Sequence, residues 1–448
     1  MVSKYFSLAW LLVLNLLLLT SCLNSNNEEL EYSPDAQIYS FSLSSATDTS
    51  DILPSTKFTI DQVNGKIFNE EPLPYLFQAD SVILNITGSS TYNPFTLVQL
   101  KLRPDSTYNW VQADSVAISR LEKITTTAPD GITQKSYDFQ LNIYQEDPYL
   151  LQWVLKNPGY LPAPVVSQKT IAFKGQFISY FNSGTATKAM STNSGDGTVW
   201  TALSLTGLPP TLRLSSLVTT DNAVYGLDTT TGIVYQSANG INWSQVVTTH
   251  TVKTIYGVLP LATQDNILAA AEIDGELTFV QTDNFSVLKP MNKLPANLPV
   301  RDFSAIKADM TSSYSKYLIL SGGVTTDGSL NNNIWILLEN NGSISSILSR
   351  IPNTVSLQGS SLFFYDDKTY LMTTSSDKNI LMFSNNYGLD WTAAAENQAF
   401  PSSGFTRRTN TSIVTDAGNN IWIFGGISAT QTQLTDAWKG RLSKYATN

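Results

Sequence analysis

The sequence predicts an all-β chain, a small β-sandwich followed by a six-bladed β-propeller, and three observations carry that prediction. Short runs of alternating apolar and polar residues fill the segment that follows an apolar leader. Further on, an apolar strand, a glycine pair, a polar loop and a tryptophan occur twice with one spacing. Apolar runs recur at steps of 44 to 53 residues up to the C-terminus.

Residues 1–21 read as a signal peptide. Lys4 supplies a positive start, "LAWLLVLNLLLLT" is too short to span a bilayer comfortably, and small Ser21 closes it. The following "LTSC", Leu19 to Cys22, resembles the lipobox of bacterial lipoproteins. That resemblance implies lipidation of Cys22, which becomes the mature N-terminus. It also implies a membrane partner reached through acyl chains and a place in the cell envelope, on the outer membrane and surface-exposed. Residues 22–34 are polar and acidic and read as a flexible tether.

Composition narrows the chemistry. Charged residues are 14% of the chain and net charge is −9, with no basic stripe, which excludes nucleic acid as an expected partner. One cysteine and one histidine exclude structural zinc, iron–sulfur and disulfide frameworks, so no metal or cofactor is expected. His250 lies in the alternating "VVTTHTVKTIYG" and reads as a strand residue.

Residues 35–150 are expected to form the sandwich. "QIYSFSL", "KFTID", "GKIFN", "DSVILNI", "FTLVQLKL", "DSVAISRL" and "YDFQLNIY" alternate with a period of two, the pattern of half-buried antiparallel strands. "QADSV" occurs at Gln78–Val82 and again at Gln112–Val116, each time entering an apolar strand. The segment "FTIDQVNGKIFNEEPLPY" with the later "YDFQLNIYQEDP" resembles the immunoglobulin-like modules of secreted Bacteroidetes lipoproteins, which implies a spacer.

Residues 165–448 are expected to form the propeller. In "KYLILSGGVTTDGSLNNNIW" and "NIWIFGGISATQTQLTDAW", Trp335 and Trp438 each lie twelve residues past the second glycine, Gly323 or Gly426. Asn333 and Asp436 occupy matching positions two residues before each tryptophan. This unit resembles the kelch signature of β-propellers. Second strands of six blades are expected around Ile178, Val224, Leu268, Leu318, Leu371 and Ile421, a spacing that suits four short strands per blade. "SANGINW", "SNNYGLDW" and "STNSGDGTVW" resemble the Asp-box turns of sialidase-like propellers, which implies hairpin architecture. "DAWKGRLSKYA" is expected to close the ring against the first blade. Lipobox, sandwich, propeller and a "WKGRL" terminus together resemble uncharacterised Bacteroidetes lipoproteins, a likeness that implies no activity.

Arg213, Arg301, Arg407 and Arg408 follow apolar-Pro pairs at the entry to inner strands. They are the candidate ligand-binding residues, for carboxylate or sulfate groups, with bracing of loop carbonyls as their structural reading. Trp200, Trp243, Trp335, Trp391 and Trp438 sit at repeat positions and read as packing. The loops after the glycine pairs, Val324–Asn333 and Ile427–Asp436, offer hydrogen-bonding side chains. "RIP" at Arg350–Pro352 resembles a sialidase motif, but lies after two of the Asp-box turns where that family has it before them. A copper oxidase on the kelch fold needs two histidines and is excluded. Catalytic residues are therefore assigned to none. The expected function is a binding or assembly module for glycan or envelope protein. The alternative is a divergent carbohydrate-active hydrolase using acids such as Asp274 with Glu276 or Asp366 with Asp367.

Overall fold

The computed structural model describes residues 32–78, 81–89, 94–259, 266–308, 316–352 and 354–445. The expected signal peptide, Cys22 and residues 22–31 of the expected tether lie outside them. Two compact units meet in sequence at Asp147 and Pro148.

The first unit has two sheets. Ser40–Ser44, Val82–Thr87 and Ser115–Val116 form one. Phe58–Asp61, Lys66–Asn69, Gln134–Gln140, Leu121–Thr127, Leu97–Leu102 and Ser106–Trp110 form the other, in that spatial order. Period-two alternation puts Val82 and Leu84 inside while Ile83 stays outside, and these join Leu100, Ile124 and Tyr137 of the second sheet in one core. The two "QADSV" copies enter neighbouring strands: Val82 stands opposite Val116, each 1% exposed.

Two features depart from expectation. Lys66–Asn69 runs parallel to Gln134–Gln140, so the larger sheet is mixed; the long intervening chain supplies the crossover a parallel pair requires. "DSVAISRL" is not one strand. The chain pairs only at Ser115–Val116, turns through the 3-10 helix Ile118–Arg120, and enters the other sheet at Leu121. Changing sheets breaks the ladder, and the turn satisfies its own backbone through the Arg120 N–H to Ala117 O bond of 3.0 Å.

Among the described residues the second unit is built of antiparallel sheets, five of four strands and a closing one of five, with a short two-stranded pair at Pro299–Arg301 and Val324–Thr325. Their innermost strands are Ser167–Phe173, Leu212–Thr219, Thr251–Leu259, Ser304–Ala308, Ser356–Tyr365 and Ser412–Thr415. Each touches the next, and the last touches the first, which closes a ring around a central channel. This is the arrangement of a β-propeller.

The second strands explain why the ring forms. All six residues expected to mark them do lie there, in strands that read as near-continuous apolar runs because both faces are covered. In Ile421–Ser428, Ile421 and Ile423 pack with Tyr370 and Met372 of the preceding sheet, while Trp422 and Phe424 pack with Phe177 and Phe181 of the first. In Asn266–Ile273, Ile267, Ala269 and Ala271 face one neighbour, and Leu268 and Ala270 the other. Every junction between adjacent sheets thus holds its own cluster of buried residues. No sheet can bury both faces alone, so each needs two neighbours.

The closure adds a strand to the sequence reading. The sheet that holds "DAWKGRLSKYA" packs on the first through Ala437, Trp422 and Phe424 against Phe177 and Phe181. Its outer partner is Leu151–Asn157, upstream of the expected start at residue 165, which pairs antiparallel with Gln433–Leu442, from Leu151 opposite Leu442 to Leu155 opposite Trp438. The C-terminal stretch supplies four strands of the last sheet, Arg408–Thr409, Ser412–Thr415, Ile421–Ser428 and Gln433–Leu442, and the fifth comes from the other end of the unit. Trp153 then packs on Phe400, with ring centroids 5.4 Å apart.

The repeat residues are mortar. Gly426 has φ +112, and a methyl there would come 2.7 Å from Thr409 O, so the chain leaves the buried strand only as glycine. In the "SANGINW" turn a methyl on Gly240 would come 2.6 Å from the Ile178 side chain, because that turn presses on the second strand of the preceding sheet. Trp243, Trp335, Trp391 and Trp438 are all buried.

Candidate functional site

Two cavities lined by described residues of the ring bear on function. The first, of about 440 Å³, lies where inner strands begin, between the strands at Leu212–Thr219 and Thr251–Leu259 and the segment Pro299–Arg301. Arg213 and Arg301 both line it, with Thr230, Lys253, Glu272 and Thr325. The second is the channel itself, of about 840 Å³, lined by all the inner strands; the two share no lining residue.

Local structure sets the first cavity. Arg213 stands opposite Leu227 on its strand, just before an irregularity in the pairing that runs to Val218. Ser216 secures this stretch by donating its hydroxyl to Arg213 O at 2.6 Å and accepting the Leu227 N–H at 2.9 Å. Arg301 is more exposed and bonds Asp302 at 3.2 Å; Asp302 also accepts the Ser215 hydroxyl at 3.2 Å. Lys253 is paired with Glu272 at 2.9 Å.

Arg213 differs from these neighbours. Its guanidinium is half-buried and has no hydrogen-bond partner among the described residues. Burial lowers its pKa, with the opposing field of Asp302 and the repulsion of Arg301 following in size. A cation so placed, beside a second one, is suited to receive an anion bidentately.

The four candidate arginines do not form one positive ring. Arg407 and Arg408 do not line this cavity. Arg408 is buried and fully engaged. Its Nη1 and Nη2 donate to the two carboxylate oxygens of Asp436 at 2.6 and 2.8 Å, Nη1 also reaches Gly425 O at 3.1 Å, and Nε reaches Thr406 O at 2.8 Å. Its guanidinium lies 4.4 Å from the Phe405 ring centroid. Asp436 in turn accepts the Trp438 indole N–H at 2.7 Å. Arg408 is thus a brace within its own sheet, its carboxylate partner Asp436 standing on the strand Gln433–Leu442. Arg407 is partly buried, and its Nε is enclosed without a partner among the described residues. Asn333 does not repeat the role of Asp436: the Trp335 indole donates to Asn331 at 3.3 Å.

Other sequence candidates are spent on structure. Arg350 holds Asp390, Nε to Oδ1 at 2.6 Å, across an exposed turn, and Asn386 and Arg350, in that order, lower the Asp390 pKa. Asp366 is bonded to Tyr445 at 2.7 Å and to Lys444 at 2.5 Å, and Glu276 to Lys293 at 2.6 Å. His250 lies in a bend just ahead of its strand. Among the described residues no group of three His, Cys, Asp or Glu is placed to hold a metal ion, and no helix is long and apolar enough to cross a membrane.

Several solved structures are similar to this chain. "Structure of YjhT" is 11% identical, covering 63% of this chain and 95% of its own, with a TM-score of 0.45. "Streptogramin B lyase structure" is 12% identical, covering 66% and 100%, with a TM-score of 0.37. "YCF48 bound to D1 peptide" is 12% identical, covering 84% and 100%, with a TM-score of 0.32. Comparison with curated proteins gives no match. Two family models match along the chain, the DUF6242 N-terminal domain over residues 36–141 and the DUF6242 beta propeller domain over residues 147–447. An all-β chain whose second unit is a β-propeller, it belongs to the DUF6242 family.

Proposed function

We propose that this protein is a cell-envelope lipoprotein whose propeller is a binding or assembly module for an acidic glycan or an envelope protein. The sheets that close the ring read as six kelch-like blades, and the N-terminal unit as an immunoglobulin-like spacer between them and a lipid on Cys22. The observation that supports a binding role is Arg213, a half-buried guanidinium without a partner among the described residues, beside Arg301 in a cavity of about 440 Å³. A buried cation is costly unless paired, and an incoming carboxylate or sulfate would pair it.

A glycan array probed with the chain lacking residues 1–34 tests this. Carboxylated or sulfated glycans are expected to bind and neutral ones not. Combined Arg213→Ala and Arg301→Ala should weaken binding roughly 10- to 100-fold, the size of one or two charge-assisted hydrogen bonds. Equal retention of neutral glycans, or an unchanged double variant, defeats the glycan reading. The anchor is tested separately: the full chain should fractionate with membranes, and Cys22→Ser should release it. Retention of that variant in the membrane would rule out lipidation at Cys22 as the anchor.

A further inference from the structure

The channel carries a second site. Each inner strand that borders it is hydrogen-bonded to a strand partner on one side only; on the other edge the Thr170 and Leu362 N–H groups donate to Ser412 and Ser304 of the neighbouring sheets, and the remaining edge groups border the cavity. Thr219, Thr220, Asn222 and Thr415 add polar side chains to that lining. A wall of this kind suits a ligand rich in hydroxyl groups, each of which can both donate and accept. About 840 Å³ lies within the usual range of small-molecule sites and exceeds what the ordered waters of a packed core fill.

Lys169, on the inner strand Ser167–Phe173, gives the cavity a direction. Its amine has no hydrogen bond or ion pair among the described residues, although the channel also borders Asp221 and Lys307. Protein surrounds it closely enough that burial alone lowers its pKa, with no carboxylate contributing. Lys169 is partly buried in the channel wall and its amine lacks a counter-ion among the described residues, an arrangement that an incoming anion completes. No backbone or side-chain group described in the cavity supplies that charge to Lys169.

We propose that the central channel binds a small hydroxyl-bearing carboxylate, of sugar-acid size, with Lys169 as its counter-ion. This site stands apart from the Arg213 cavity and does not depend on it.

Calorimetric titration of the full chain with sodium glucuronate, and with glucose as the neutral counterpart, tests the proposal. Saturable binding of glucuronate is expected, with glucose at least roughly tenfold weaker. Lys169→Met should remove that preference, Lys169→Arg should keep most of it, and Arg213→Ala should leave it unchanged. In parallel, glucuronate should protect Lys169 from reductive methylation, read by peptide mass, in the unaltered chain. Failure of glucuronate to bind, equal affinity for glucose, an unchanged Lys169→Met variant, or Lys169 modified equally with and without the acid would each overturn the proposal. Loss in Arg213→Ala with retention in Lys169→Met would move the anion to the other cavity.

Discussion

The two units bury their apolar residues in different ways. In the N-terminal unit, both sheets contribute to one cluster, and Tyr137 stands inside it. Its hydroxyl accepts the Ile38 N–H at 3.0 Å and donates to Gln62 at 2.7 Å. In the ring no such centre exists. The middle is a channel, and apolar residues are divided among clusters at successive sheet junctions. A sandwich hides one face of each sheet, whereas a ring of sheets hides both. It therefore depends on the last junction being made as well as the first.

That contrast is open to measurement by scanning calorimetry of the full chain, in which two transitions are expected. The largest effect should come from Arg408→Ala. It leaves Asp436, Gly425 O and Thr406 O without their shared donor in the closing sheet, at about 3–5 kcal/mol, and should lower the ring transition alone. Adding Asp436→Leu should recover part of that loss, since the stranded carboxylate is then removed. A smaller effect is expected from Tyr137→Phe, which deprives a buried N–H of its acceptor and costs about 1–3 kcal/mol, in the N-terminal transition alone. If both variants moved both transitions equally, the two units would share one cooperative core and the contrast would fail.

Much of this was legible in residue order. The second strands announced themselves because a strand covered on both faces must be apolar at nearly every position, as in "NILAAAEI" and "IWIFGGIS". The glycine pairs and tryptophans were equally plain. The closing strand "LQWVLKN" was not. It is an outer strand with exposed Val154 and Leu155, and its partner lies nearly the whole unit away in sequence. In the N-terminal unit the break at Ile118–Arg120 was hidden for a related reason: alternation continues through the residues at which the chain changes sheets.

The arginines show the same division at the level of the site. Arg213, Arg301, Arg407 and Arg408 look alike in sequence, each following an apolar-Pro pair. Arg408 became a brace because Asp436 comes within 2.6 Å of it, and Arg213 was left unpaired because the cavity beside it holds no carboxylate bonded to it among the described residues. Lys169 carried no signal at all; a lysine in a strand reads as a solvated face, and its place at the channel exists only once the ring is closed. The sequence by itself determined the all-β class and the strands buried on both faces, because these rest on local period and composition. Tertiary structure alone decided the closure, the fate of each arginine and the lining of the channel, because each depends on groups brought together from distant positions.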